Sequence, residues 1–297
     1  MAGQIPRFQL SADAELPNAA LTAWQRDGLL LIEDFVPPEE CDELRKTADQ
    51  LVDGFDPKHV ATVFSTNYPE HALTDYFETS GDKVRFFFEE GVLDKDGMLN
   101  HPKDRSINKI GHAMHDLIPE FQEFSYHPRL VELSAFLGLE DSVVLQSMLI
   151  FKQPGIGGEV NWHQDSSFLF TDPESVTGFW FALEDADLQN GCLWVLPGEH
   201  KKPLRQRFRR INGKLELEDL GIADAFELSR KTPLEVRKGT LVVLHGRLPH
   251  YSETNRSNRS RQAYTLHTIS ASASYPAENW LQRGSEMPLC YLSTGKP

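Results

Sequence analysis

The sequence predicts a mainly β protein with flanking helices, a jelly roll preceded by a helical half, on three observations. From about residue 142 onward, short apolar runs are separated by Gly- and Pro-containing turns, the texture of a sandwich or barrel and not of alternating βα units. Before about residue 140, apolar positions recur at helical spacing between strong stop signals. No internal repeat or low-complexity linker divides the chain, so its 297 residues read as one domain (1–297). That domain has a mostly helical N-terminal part (1–140) and a jelly-roll core (141–275).

Each element has its own local reason. The stretch up to Asn18 is rich in Pro and Ala and is expected to be loosely ordered. A short helix from Leu21 stops at Gly28, and Leu29 to Ile32 form a buried strand. Pro37 and Pro38 suit a first helical turn, after which Cys41, Leu44, Ala48, Leu51 and Val52 recur at helical spacing up to Gly54. Residues 55 to 80 have no clean period and read as a long loop. Val84 to Phe88 is a strand and Asp94 to Gly97 a turn. Ile107 to Leu117 and Pro128 to Leu137 are expected to be helices, the second closed by Gly138. The β half follows: Val143 to Phe151, Glu159 to His163, Gly178 to Leu183, Cys192 to Leu196 after an Asn190-Gly191 turn, Thr240 to Leu244, and Gln262 to Ile269.

Composition excludes several classes of function. The chain is 40% hydrophobic and 25% charged, with no apolar run of membrane-spanning length. A net charge of −14, from 30 basic against 44 acidic side chains, disfavours nucleic acid or an anionic membrane as partner. Met1-Ala2-Gly3-Gln4 lacks a signal pattern, Ala2 excludes myristoylation, and Thr294 to Pro297 is not a peroxisomal ending. Three scattered cysteines (Cys41, Cys192, Cys290) fit a reducing compartment, so a cytoplasmic location is expected. One stretch runs against the acidic balance: Lys201, Lys202, Arg205, Arg207, Arg209 and Arg210. It reads as a solvated loop or helix face with acidic Glu216 to Asp219 as a possible partner, or else as a phosphate-recognition patch for a coenzyme A ester.

The most informative pattern is His163-Gln164-Asp165, with His250 and Arg261 downstream. Two residues apart on an extended chain, His163 and Asp165 share a face and can bind one metal. A remote histidine would complete a two-His, one-carboxylate triad, which leaves coordination positions open and is diagnostic of non-haem Fe(II) oxygenases. His245 and His250 compete for that place, and each has an arginine eleven residues on. Arg256 lies in the turn Asn255 to Ser260, whereas Arg261 opens a strand that can hold its side chain rigidly. His250 with Arg261 is the better pair, and His245 reads as a core or supporting histidine.

The run from His245-Gly246-Arg247-Leu248-Pro249-His250-Tyr251-Ser252 to Arg261-Gln262-Ala263-Tyr264 resembles the C-terminal signature of the phytanoyl-CoA dioxygenase family. Gly157-Gly158-Glu159 before His163-Gln164-Asp165 is similar to the same family, as are Asn190-Gly191-Cys192-Leu193-Trp194 and Pro197-Gly198-Glu199-His200. The segments Ser80 to Glu89 and Ser106 to His112 extend the likeness, which runs from about Trp24 to Leu281. The resemblance implies a double-stranded β-helix (jelly-roll, cupin-like), Fe(II), O2, and 2-oxoglutarate as cosubstrate. It implies His163, Asp165 and His250 as metal ligands, and Arg261 with Ser252 on the distal carboxylate of 2-oxoglutarate. It places Lys109, Met148 and Trp180 on the cosubstrate pocket, although Met148 and Trp180 taken alone read as core. Glu199 departs from the family's usual serine, in a turn away from the ligands. An Ala or Gly at position 165 would suggest a halogenase; Asp165 points to hydroxylation of a small molecule, for which the family name suggests an acyl or acyl-CoA. A binding or sensing protein without a dedicated substrate, and a metal-dependent cupin of other chemistry, are the competing readings.

Overall fold

The computed structural model describes residues 5–11, 15–57, 62–63 and 74–297. Two sheets face each other and the rest of the chain braces them. The larger has nine strands. Along it run β1 (Arg7–Gln9), β2 (Leu29–Glu33), β12 (Leu241–His245), β7 (Thr177–Ala182), β14 (Arg261–Ser270), β5 (Ser142–Lys152), β4 (Ile107–His112) and β3 (Val84–Phe88), and β15 (Cys290–Tyr291) pairs with β5. The smaller sheet orders β11 (Thr232–Leu234), β8 (Leu193–Val195), β13 (His250–Ser252) and β6 (Val160–His163). A separate hairpin joins β9 (Gln206–Ile211) to β10 (Lys214–Asp219). The jelly roll expected from the strand texture is the observed fold.

Helices cover the outer face of the large sheet. In α1 (Asn18–Asp27) the stop at Gly28 is a left-handed residue (φ 74°) whose N–H caps the Trp24 carbonyl, a conformation that glycine adopts without strain. The next helix, α2 (Pro38–Gly54), buries Cys41, Leu44, Ala48 and Val52 in the main core against Leu30 and Ile32 of β2. Each fully buried Leu or Val of this kind contributes about 1.5–3 kcal/mol, so Leu44→Ala would loosen the helix from the sheet. The short α3 (Asp75–Glu78), α4 (Met114–Leu117), α5 (Pro119–Ser125), α6 (Pro128–Phe136) and α7 (Asp165–Phe168) complete the set. Of these, α6 matches the predicted Leu130 and Leu133 stripe.

Three expectations need correction. Residues 107–117 are not one helix: Ile107–His112 is a central strand, and only Met114–Leu117 is helical. Ile107 and Ile110 suggested a helical stripe, but a strand buried on both faces carries apolar residues at any spacing. Both neighbours, β3 and β5, pair with it in ladder, and a segment with two β-branched residues and Gly111 has little intrinsic helicity to resist. Part of the N-terminal stretch is ordered, because Arg7–Gln9 adds a parallel strand to β2. Four strands of the large sheet therefore come from before residue 141. The basic stretch is irregular only as far as Arg205; Arg207, Arg209 and Arg210 lie on the strand Gln206–Ile211, which pairs with the acidic partner expected for it, Lys214–Asp219, with Glu216 opposite Arg209. Most of the predicted 55–80 loop lies outside the described residues.

Candidate metal centre

His163 ends β6 and His250 begins β13, and the two are direct cross-strand partners in the small sheet. Their rings lie 4.1 Å apart between centroids. Gln164 stays extended (φ −118°, ψ 131°), so Asp165, the first residue of α7, returns to the same side as His163. Gln164 itself is buried and ties this corner down. Its Nε2 donates to the Arg247 carbonyl at 2.7 Å, and its Oε1 accepts from the Arg205 N–H at 3.1 Å. His163 Nε2 is 3.7 Å and His250 Nε2 3.6 Å from Asp165 Oδ1. The three residues form a group whose ligand atoms all lie within 4.8 Å of one another.

The backbone sets the tautomer of both imidazoles. His163 Nδ1 donates to the Asn161 carbonyl at 2.7 Å, and His250 Nδ1 donates to the Leu248 carbonyl at 3.1 Å. Each ring then presents a bare Nε2 lone pair toward Asp165, the form in which imidazole binds metal. Burial pushes His163 down to about 4, and the neighbouring His250 adds to the shift. For Asp165 burial alone would raise the carboxyl, but His250, His267 and His163 together hold it below the usual carboxylate range. Two imidazole nitrogens and one ionised oxygen, with the remaining directions open, are a donor set that fits Fe(II).

A supporting layer fixes the carboxylate. His267 Nε2 lies 3.2 Å from Asp165 Oδ2, and Gln146 Nε2 lies 3.2 Å from His267 Nδ1. In the neutral imidazole the order is forced: Gln146 donates to Nδ1, and Nε2–H donates to Asp165. Oδ2 is thereby occupied and Oδ1 left for a metal. Gly178, opposite His267 on β7, is required here, because a Cβ would come within 3.0 Å of Asp165 Oδ2. Neither His267 nor Gln146 was singled out from the sequence. The signal was available: His267 has the even spacing from Arg261, and Gln146 from Met148, that puts strand residues on one face.

The centre opens into a cavity of about 400 Å³ between the sheets, lined by all three candidate ligands and by Lys109, Met148, Trp180, Ser252 and Arg261. Every sequence-predicted site residue is therefore gathered around one space. Arg261 is 1% exposed. Its Nε and Nη2 donate to the Gly191 carbonyl at 3.2 and 3.1 Å, and its guanidinium lies 5.4 Å from the Trp180 ring. Its Nη1 is buried with no hydrogen-bond partner among the described residues. A buried, unmet guanidinium N–H suits an anionic oxygen. Burial lowers Arg261 to about 10 and Lys109 to about 7. Lys109 sits on β4, not on a helix, with its Nζ 5.4 and 5.3 Å from the Phe77 and Phe87 rings.

His245 stands elsewhere. Its ring packs near Trp24 and His200, with centroids 6.0 and 5.1 Å away, and its Nδ1 accepts the Arg247 N–H. The basic hairpin is largely committed to its surroundings. Arg209 makes two bonds to Glu218, Arg210 one to Glu78, and Arg207 lies over the Phe170 ring. Glu199, expected to matter little, is buried with Lys202 2.6 Å away and Arg205 3.7 Å away.

The family model described as phytanoyl-CoA dioxygenase matches residues 24–263, a span that includes His163, Asp165, His250 and Arg261. The chain belongs to the phytanoyl-CoA dioxygenase family. Membership makes it a dioxygenase, of a family that works with Fe(II), 2-oxoglutarate and O2. The chain is 44% identical over 269 residues to "Phytanoyl-CoA dioxygenase" of Arabidopsis thaliana, covering 90% of this chain and 94% of the relative. It is 45% identical over 288 residues to "Phytanoyl-CoA dioxygenase domain-containing protein 1" of Bos taurus, covering 94% and 99%. Among solved structures, EctD from S. alaskensis with 2-oxoglutarate and 5-hydroxyectoine superposes with a TM-score of 0.61 at 21% identity, over 97% of this chain and 87% of that one. At that identity the likeness bears on the fold. No helix among the described residues is long and apolar enough to cross a membrane.

Proposed function

We propose that this family member hydroxylates a small molecule, with His163, Asp165 and His250 as the iron ligands and Arg261 as the anchor for 2-oxoglutarate. One juxtaposition carries the reading. Two tautomer-fixed imidazoles and an ionised carboxylate share the cavity with a buried guanidinium whose Nη1 is unmet. When bound, Fe(II) and 2-oxoglutarate supply an O2-derived oxidant for a substrate C–H bond, with release of succinate and CO2.

The chain's own residues do the placing. Arg261, held against Gly191, presents Nη1 to the distal carboxylate, aided by the Ser252 hydroxyl. Ser252 shares a strand face with His250. Trp180 and Met148 wall the cosubstrate, and Lys109 adds a cation. The apolar lining excludes water, which strengthens these charge-assisted bonds. The apolar walls taken alone would admit the apolar body of a small substrate, an acyl group included. A coenzyme A phosphate site at the basic hairpin loses support, because Arg209 and Arg210 are already ion-paired. Three unbridged cysteines support a reducing, cytoplasmic setting.

The test is succinate release from 2-oxoglutarate by the Fe(II)-loaded protein under O2. His163→Ala and Asp165→Ala are expected to reduce it to background, and unchanged release in either variant would refute the ligand assignment.

A further inference from the structure

Three buried polar atoms at the end of the cavity away from Arg261 have no partner among the described residues: His112 Nε2, Gln146 Oε1 and Trp280 Nε1. All three residues line the cavity, and they are 0%, 5% and 3% exposed. The register places them. Arg261 pairs with Lys152 at one end of β5, whereas His267 pairs with Gln146 and His112 with Ser147 near its middle. Six residues of strand separate Lys152 from Gln146, roughly 20 Å of backbone. Sixteen buried side-chain polar atoms lack a hydrogen-bond partner among the described residues; these three are set apart because their residues line one cavity, where a guest can supply the bonds.

Their hydrogen-bonding roles follow from their neighbours. The Ser80 hydroxyl donates to the Phe77 carbonyl at 2.5 Å, so toward His112 it can only accept. His112 Nδ1 therefore carries the proton of the 2.8 Å bond to Ser80, and Nε2 is an acceptor. Burial keeps this imidazole neutral, its pKa well below the usual value. Gln146 spends its amide N–H on His267, which leaves a carbonyl oxygen as the unmet atom. The indole of Trp280 can only donate. The end thus shows two acceptors and one donor. Its walls are rings: Phe77 stacks on Trp280 at 4.3 Å, His112 meets Trp280 edge-on at 5.1 Å, and Phe208 completes the lining. Among the described lining residues the only acidic side chain is Asp165, so a cation finds no free counter-charge.

We infer that this end is the primary-substrate pocket for a small uncharged ring compound whose polar edge offers N–H or O–H donors to His112 and Gln146 and an acceptor to Trp280. A primary amide edge, with two N–H donors and one carbonyl, has this pattern; a plain acyl chain does not, and would leave both acceptors buried and unmet. The inference rests on reading the Arg261 end as the cosubstrate site.

The experiment uses benzamide and N,N-dimethylbenzamide, which share a ring and a carbonyl and differ in N–H donors. Each is titrated into the full chain loaded with Zn(II), with and without 2-oxoglutarate, by ligand-observed NMR. Benzamide is expected to bind more tightly by roughly tenfold or more, the worth of the lost bonds, and 2-oxoglutarate is expected not to displace it. His112→Phe should reduce the ratio severalfold, to the share that Gln146 alone holds. Trp280→Phe should weaken both amides alike, since both keep the carbonyl, and serves as a second variant if the first does not fold. Equal affinity for the two amides in the wild type, the result if ordered water alone satisfies the three atoms, overturns the inference. So does a preference undiminished by His112→Phe, unchanged affinity of both amides for Trp280→Phe, or displacement of benzamide by 2-oxoglutarate. Failure of 2-oxoglutarate to bind while the amide preference persists counts against the cosubstrate reading and not against this pocket.

Discussion

The two ends of the cavity differ in unmet chemistry. At one, Arg261 holds a buried N–H donor with no acceptor among the described residues. At the other, His112 and Gln146 hold buried acceptors, and Trp280 a buried donor, with no partner among the described residues. The candidate metal ligands lie between them, with Asp165 tied through His267 to the acceptor end. The difference teaches how one apolar space can sort two guests. An acid is drawn to the guanidinium and repelled by the bare lone pairs, and a donor-bearing neutral molecule has the reverse preference. Sorting of this kind requires the ends to be energetically separate, which can be tested.

The largest effect is expected at the divider itself. His250→Ala should abolish 2-oxoglutarate turnover, whereas His245→Ala, whose ring packs with Trp24 and His200, should retain most of it and lose mainly thermal stability. The reverse order, read by succinate release and melting temperature, would move the metal centre to the other histidine. Next is Arg261→Ala, which removes a charge-assisted bond worth about 1.5–3 kcal/mol. It should raise the KM for 2-oxoglutarate roughly ten- to a hundredfold with a smaller change in kcat. A pure kcat effect would mean that Arg261 does not hold the cosubstrate.

His267→Phe sharpens the link between the divider and the acceptor end. Losing the bond to Asp165 Oδ2 should weaken metal binding by roughly 10- to 100-fold, measured by competition with a chelator. Unchanged affinity would detach His267 from the centre. The smallest effect concerns Lys109. Burial holds it at about 7, against 10.5 for an ordinary lysine, so between those values the free enzyme lacks a proton that an anionic partner restores. Binding of 2-oxoglutarate should then take up as much as one proton per chain in that window, and none from this residue below it. Calorimetry in buffers of different protonation enthalpy reads the uptake. Lys152, buried beside Arg261, can contribute to it, so Lys109→Met isolates the share that belongs to Lys109.

The same contrast separates what was legible in the sequence from what was not. His163, Asp165, His250 and Arg261 stand in short local patterns, and strand period alone puts the pairs on shared faces. The acceptor end is assembled from β4, β5 and a segment after β14, so no local pattern names it. His112 falls in a stretch whose Ile107 and Ile110 imitate a helix, and only pairing with β3 and β5 decides otherwise. Trp280 lies beyond the jelly-roll range read from the turns. For the basic run Lys201 to Arg210 the acidic neighbour Glu216 to Asp219 was legible as a partner, and Glu218 pairs with Arg209, whereas the partners Glu78 and Glu199 are close in space and belong to no pattern within the run. The general fold was readable from turn spacing; the exchange of strands between the two halves was not, since β1 to β4 join the large sheet through non-local pairing.

The most direct measurement is an anaerobic calorimetric titration of 2-oxoglutarate into the wild-type chain, with and without Fe(II), and into Asp165→Ala with Fe(II). The account predicts one 2-oxoglutarate per wild-type chain, bound tightly only when the metal is present, and weak or no binding to the variant. Equal binding with and without metal, or wild-type affinity in Asp165→Ala, would contradict it.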